Sequence, residues 1–302
     1  MEKVKHIIQI ERTRRMGITG KGVTIAMMDT GVYVHPDLGK RVIGFHDFCQ
    51  KKIGAYDDNG HGTHICGIAA GSGEQARLRR MGDLSGIAPR ANILMLKVLD
   101  AKGNGSTSQV LEAIDWIVKK KETYKIRILN ISVGMLPTAG LEEQQELLKA
   151  VEYLWDIGIV VVAAAGNNGP KEQSITVPGI SRKIITVGSS DDEGGIMRQR
   201  GLDAGYSGRG PTKCCIVKPE ILAPGTNIMS CKNSGSGYVS KSGTSMAAPV
   251  VSGAAALLLE RYPNFTPQQV KLRLYERAYP RGEQIGKKCW GILHVDNLIR
   301  NE

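Results

Sequence analysis

Five short apolar runs rich in β-branched residues recur along the chain: Val23 to Met28, Asn92 to Val98, Ile128 to Val133, Ile159 to Ala164 and Ile184 to Val187. Between them the apolar residues take helical spacing. Leu111, Ile114, Ile117 and Val118 recur within Ser108 to Lys121, and a second pattern runs from Leu141 to Ile157 before Gly158 stops it. A last helix opens at Thr266-Pro267-Gln268-Gln269, a capping box with proline at the first helical position. Apolar strands alternating with helices predict an α/β fold, a largely parallel central sheet covered by helices on both faces. No repeat, low-complexity tract or linker interrupts the pattern. The 302 residues are read as one domain, with residues 1–19 as an N-terminal segment packing on it.

Apolar residues at 41% and charged residues at 23% match ordinary globular usage and supply a sizeable core. No uninterrupted apolar stretch reaches the roughly 18 residues of a membrane span. The most apolar run, Met246 to Leu259, contains Pro249, Ser252 and Gly253 and reads as a buried helix. The opening residues hold only Ile7-Ile8-Gln9-Ile10 between charged flanks, shorter than the apolar core of an export signal. The expectation is therefore a cytoplasmic protein whose six cysteines are reduced thiols, with a secreted one as the alternative if the start has been trimmed. Net charge is +11, from 40 basic and 29 acidic residues, but clusters such as Arg77, Arg79, Arg80 and Lys119 to Lys121 are dispersed. With aromatics at 5%, no base-stacking platform accompanies them, so neither nucleic acid nor membrane is an expected partner. The Gly17 to Lys21 and Gly103 to Gly105 stretches lack nucleotide-loop spacing and read as turns.

Three segments carry chemistry: Ala26-Met27-Met28-Asp29-Thr30-Gly31, Asn59-Gly60-His61-Gly62-Thr63-His64, and Ser242-Gly243-Thr244-Ser245-Met246-Ala247-Ala248-Pro249. They supply an acid, a base and a hydroxyl. A serine hydroxyl attacks poorly at neutral pH unless an imidazole takes its proton and a carboxylate orients that imidazole. Asp29 closes the first apolar strand, where reactive groups of parallel sheets collect. Two histidines compete for the base, His61 at the head of a helical run and His64 one turn later. Ser245 heads the long apolar helix, where unpaired N–H groups and the helix dipole favour an oxyanion.

The order Asp, His, Ser and the residues around each member resemble subtilisin-like serine proteases, over about Gly20 to Leu298. The resemblance implies that His61 rather than His64 is the base. It also implies that Asn167 rather than Asn168, in Ala165-Gly166-Asn167-Asn168, donates to the oxyanion. Gly103-Asn104-Gly105 and Ser132-Val133-Gly134 then resemble the two edges that sandwich an extended peptide. Thr107, Val110 and Val133 would line the pocket for the fourth residue upstream of the cut, and Ala164, Ala165, Gly166 and Thr176 the wall of the first pocket. His35 reads as structural. Asp37 matches a calcium ligand of the family and is the one metal candidate, although Arg77, Arg79 and Arg80 stand where many relatives bind calcium. No cofactor is needed for the chemistry, and a structural calcium is doubtful.

The expected function is a serine endopeptidase acting on extended or unfolded polypeptide through an acyl-enzyme. The alternatives are a processing protease dedicated to one precursor, which broad digestion of casein would argue against, and a silent binding module. The latter requires a broken acid–base–nucleophile set, and all members are present.

Overall fold

Seven strands form the central sheet of the computed structural model, which describes residues 1–134, 140–192, 205–280 and 289–301. In chain order they are β1 (Thr24–Asp29), β2 (Val42–Asp47), β3 (Asn92–Lys97), β4 (Ile126–Ile131), β5 (Val160–Ala164), β6 (Ile185–Ser189) and β7 (Ile221–Ala223). They lie side by side as β2-β3-β1-β4-β5-β6-β7, every neighbouring pair parallel. The five apolar runs become β1, β3, β4, β5 and β6. Strand β2 was not legible because it is an edge strand, mostly half-buried and interrupted by Gly44. A separate antiparallel pair, β8 (Ile228–Cys231) and β9 (Tyr238–Lys241), was likewise missed; each strand has four residues, too few for a period to register.

Helices α3 (His61–Ala70) and α7 (Thr244–Arg261) pack on each other, and α7 also lies on β4, β5 and β6. A short helix α4 (Glu74–Leu78) follows α3, and helices α5 (Thr107–Tyr124) and α6 (Leu141–Asp156) pair over β4 and β5. Because β5 is wholly buried and β4 nearly so, the two helix pairs cover opposite faces, and the α/β reading holds. The apolar run at Met246 to Leu259 is indeed a helix buried all round. Helix α8 (Pro267–Arg277) opens with its Thr266–Gln269 capping box formed in both directions. No helix among the described residues is long and apolar enough to cross a membrane.

The N-terminal segment forms two short helices, α1 (Glu2–Ile7) and α2 (Glu11–Arg15), and Val4 of α1 joins the core with Ile8 and Ile10 of the link between them. Far-off carboxylates tie it down. Asp296 accepts from Arg12 N and Thr13 N at 3.1 and 2.7 Å, and Glu260 from Thr19 N and Gly20 N at 2.6 and 2.5 Å. Chain order on the sheet reverses between β1 and β4, since β2 and β3 lie to one side of β1 and β4 to β7 to the other. The crevice beyond the carboxyl ends of β1 and β4 is thus the switch point where parallel sheets bind ligands. Asp29 ends β1, and Ser132 follows β4 by one residue.

Candidate active site

Asp29 is fully buried, and its Oδ1 accepts from Thr30 N at 2.8 Å and from His61 Nδ1 at 2.7 Å. His61 is the first residue of α3. Its approach depends on Gly62, where a Cβ would sit 2.0 Å from Gly31 O. The loop before α3 is knitted by Asp57, which accepts from Thr30 Oγ1 (2.9 Å), Gly60 N (2.8 Å) and Thr63 N (2.8 Å). That carboxylate does the capping that Gly60, without a side chain, cannot. Burial pushes the His61 pKa down, but the Asp29 charge and hydrogen bond outweigh it, so the net shift is upward from 6.5. With Nδ1–H held by the carboxylate, the neutral ring keeps its lone pair on Nε2.

His64 is fully buried, and its Nε2 meets Ile228 O and Val239 O, each at 3.0 Å. The ring therefore fastens the β8–β9 pair to α3. Burial, then the charges of Lys241 and His61, push its pKa down to about 3, so it stays neutral. Buried and held by two backbone carbonyls, His64 is placed as a packing residue, while His61 carries the bond to Asp29.

Ser245 lies in the first turn of α7, so its N–H has no partner within the helix. Pro249, four residues on, lacks the N–H that would bond Ser245 O, and that carbonyl accepts from Ser132 Oγ at 3.2 Å instead. In return Ser245 Oγ donates to Ser132 O at 2.8 Å. Ser132 Oγ also accepts from Asn130 Nδ2 at 2.8 Å, and Asn130 Oδ1 from Ser252 Oγ at 2.9 Å. This buried relay locks the end of β4 to the head of α7. The Ser245 hydroxyl must turn from Ser132 O before it can give its proton to an imidazole.

Asn167 Oδ1 accepts from both Thr244 N and Thr244 Oγ1 at 3.0 Å. Two donors on the oxygen fix the amide, so its Nδ2 is the end left to donate. Gly166 makes the turn into Asn167 with φ +89°, where a Cβ would lie 2.5 Å from Thr176 Cγ2, and its N–H donates to Thr244 Oγ1 at 3.1 Å. Asn167, Asn168, Thr244 and Ser245 share a cavity of about 340 Å³. Among the described residues it is Asn167, not Asn168, that makes these contacts with Thr244.

Ser132, Val133, Gly134, Ala164, Gly166 and Thr176 also line that cavity. Ala165, grouped with the substrate contacts in the sequence reading, does not fit. It is fully buried, its N–H donates to Val187 O at 2.9 Å and its carbonyl accepts from Thr176 N at 3.0 Å, so it has nothing to offer a peptide. A second cavity of about 270 Å³ is bounded by Gly103, Asn104, Gly105, Thr107, Val110, Val133 and Gly134, among others. The two edges therefore flank it, and Val133 and Gly134 belong to both cavities.

Lys97 was missed. It pairs with Asp29 in the β1–β3 register, is fully buried, and donates to Thr30 O (2.5 Å), Asp58 Oδ1 (2.8 Å) and Leu99 O (2.8 Å). One ammonium thus joins the turn after Asp29, the loop before His61 and the segment leading to Gly103. A lysine ending an otherwise apolar strand was the available signal. His35 is fully buried, and its Nε2 meets Gly237 O at 3.0 Å.

The subtilase family model matches residues 20–296. The chain is similar to serine protease AprX of Bacillus subtilis, 43% identical over 84% of this chain and 60% of that protein. It is 34% identical to subtilisin Savinase of Lederbergia lenta, over 91% of this chain and 90% of the relative. Among solved structures it resembles a cold-adapted subtilisin-like serine proteinase, with a TM-score of 0.73, 29% identity and coverage of 92% and 90%. The chain spans under two thirds of the length of AprX.

Proposed function

The chain belongs to the subtilase family, and from that premise we propose that it is a serine endopeptidase using Ser245 as nucleophile, His61 as base and Asp29 as the orienting acid. The observation that carries this reading is the 2.7 Å bond from His61 Nδ1 to the wholly buried Asp29. It presents a basic Nε2 on a fixed ring.

In the proposed cycle Ser245 Oγ attacks the scissile carbonyl carbon while its proton passes to His61 Nε2. Asn167 Nδ2 and Ser245 N–H receive the oxyanion. As the C–N bond breaks, His61 returns the proton to the departing amine and leaves an acyl ester on Ser245. Water then enters, gives its proton to His61 and repeats the attack, and the collapse releases the acid and restores the hydroxyl. The exposed backbone of Gly103 to Gly105 and of Gly134 suits pairing with an extended peptide, which favours unfolded segments over folded ones. Cys49, Cys66, Cys214, Cys215 and Cys231 are free thiols, two of them buried, which supports work in a reducing, cytoplasmic compartment.

Ser245→Ala should abolish turnover of denatured casein and labelling by a serine-directed phosphonate, with circular dichroism unchanged. Labelling of that variant at the wild-type rate would refute the assignment.

A further inference from the structure

The resemblance places a calcium ligand at Asp37 and calcium in the stretch after α3, and the residues present do not fit such an ion. Calcium takes about 6–8 oxygen ligands. Around Asp37 the neighbouring groups donate instead. Its Oδ1 accepts from Ser72 Oγ and Gln75 N, each at 3.0 Å, and its Oδ2 from Tyr238 Oη at 2.5 Å. The other metal-binding types beside it are His35 and Cys231, all three ligand atoms within 4.8 Å of one another. Both ring nitrogens of His35 are engaged, Nδ1 by Asp37 N at 3.1 Å and Nε2 by Gly237 O at 3.0 Å. Close by, the Arg79 guanidinium reaches Ser236.

We propose that the loop between α3 and β3 is locked by the chain's own cations, Lys5 and Arg14 closing on Asp83, in place of a bound metal ion. The loop is closed at its neck, where Gly86 N donates to Gly71 O at 2.8 Å. Just before that neck, Asp83 and Ser85 meet the N-terminal segment. The Lys5 side chain is 5% exposed, and its Nζ has one partner for each of three hydrogens: Asp83 Oδ2 (2.8 Å), Ser85 Oγ (2.9 Å) and Asp83 O (3.2 Å). Arg14 spans the same pair, from Nη1 to Asp83 Oδ2 and from Nη2 to Ser85 Oγ, each at 2.5 Å. Ser85 Oγ gives its own hydrogen to Asp83 Oδ1 at 2.6 Å, so its donor and both lone pairs are used. Glu2 completes the clasp, accepting from Asp83 N at 2.8 Å.

An ammonium ringed by loop oxygens does what a coordinated cation would do, but it is covalently part of the chain. Nothing has to be bound from solution, so no chelator can remove it. It also places α1 and α2 in direct control of the loop that leaves the far end of α3, the helix whose first residue is His61.

The test is thermal unfolding of the full chain carrying Ser245→Ala, which removes self-digestion and makes the readout independent of turnover. The midpoint should be the same in EDTA, in added calcium and in added zinc. Asp83→Asn leaves Lys5 buried without its counter-charge and should lower the midpoint by roughly 5–10 °C, with no recovery in calcium. Lys5→Met should lower it too, and the Lys5→Met/Asp83→Asn pair should fall short of the sum of the single changes, because both break one interaction. Should Asp83→Asn fail to fold, the parent midpoint in the three buffers and the Lys5→Met variant still decide. A saturable rise with calcium, or with zinc through His35, Asp37 and Cys231, would overturn the proposal. A wild-type midpoint in Lys5→Met would do so as well.

Discussion

Thr244→Val probes how Asn167, the proposed oxyanion donor, is aimed. Valine keeps the shape and the backbone N–H but removes the hydroxyl that donates to Asn167 Oδ1 and accepts from Gly166 N. Asn167 Oδ1 then keeps one donor of two, the Thr244 N–H at 3.0 Å. One neutral hydrogen bond is worth about 1 kcal/mol, or roughly a fivefold change in an equilibrium. If that bond holds the amide with Nδ2 toward the oxyanion, kcat should fall about 5–10-fold while KM stays nearly constant, because the donor meets charge only in the transition state. The ceiling is set by Asn167→Ala, for which the loss on removing the equivalent donor in subtilisin, about 10²–10³ in kcat, is borrowed here. Steady-state kinetics on a peptide anilide should be run for Thr244→Val, Asn167→Ala and the double variant. With Nδ2 gone the hydroxyl has nothing left to aim, so Thr244→Val should cost nothing further in the Asn167→Ala background. Thr244→Ser should restore most of the rate. A full fivefold loss persisting in the double variant, or a rise in KM with kcat intact, would refute the aiming role.

His61→Ala should lower kcat by about 10⁴ or more, whereas His64→Ala should keep kcat within about tenfold and lower the melting midpoint by loosening the β8–β9 pair; the reverse pattern would exchange their roles. Because the His61 pKa is raised above 6.5 and the base must be neutral, kcat/KM should climb with pH through a midpoint above 6.5. The stability term of that same group has the opposite sense. It is fully present below 6.5 and is lost as pH rises through the folded-state value. Lys97→Met leaves Thr30 O and Leu99 O without their donor at about 1–3 kcal/mol each, and should reduce both the melting midpoint and kcat; wild-type kcat and midpoint together would remove Lys97 from the site.

What could be read from the sequence was local. A buried parallel strand is apolar from end to end, so β1, β3, β4, β5 and β6 were visible as runs, and the Thr266–Gln269 cap as a spacing. The three segments proposed to carry chemistry stood out as short strings, and each candidate residue lies at or beside an element boundary. Ala165 misled because a string of small residues looks uniform in sequence, whereas in β-like backbone successive residues face opposite ways. Gly166 and Ala164 line the cavity, and the residue between them turns inward to the sheet.

The supports of the site were illegible for a different reason: they join residues far apart along the chain. Asp57 gains meaning only when Thr30 and Thr63 converge on it, and Lys97 only when Thr30 and Asp58 arrive at its ammonium. Pro249 is the clearest instance. Within a helix it reads as a defect, since it removes a backbone donor. Only once β4 lies beside α7 does the freed Ser245 carbonyl find Ser132 Oγ, and the lost helical bond becomes a tie between strand and helix at the proposed nucleophile. The same holds for Lys5 and Asp83, two unremarkable charges 78 positions apart that meet in the fold. A reactive residue can be recognised by its neighbours in sequence, but what holds it in place has to be recognised by its neighbours in space.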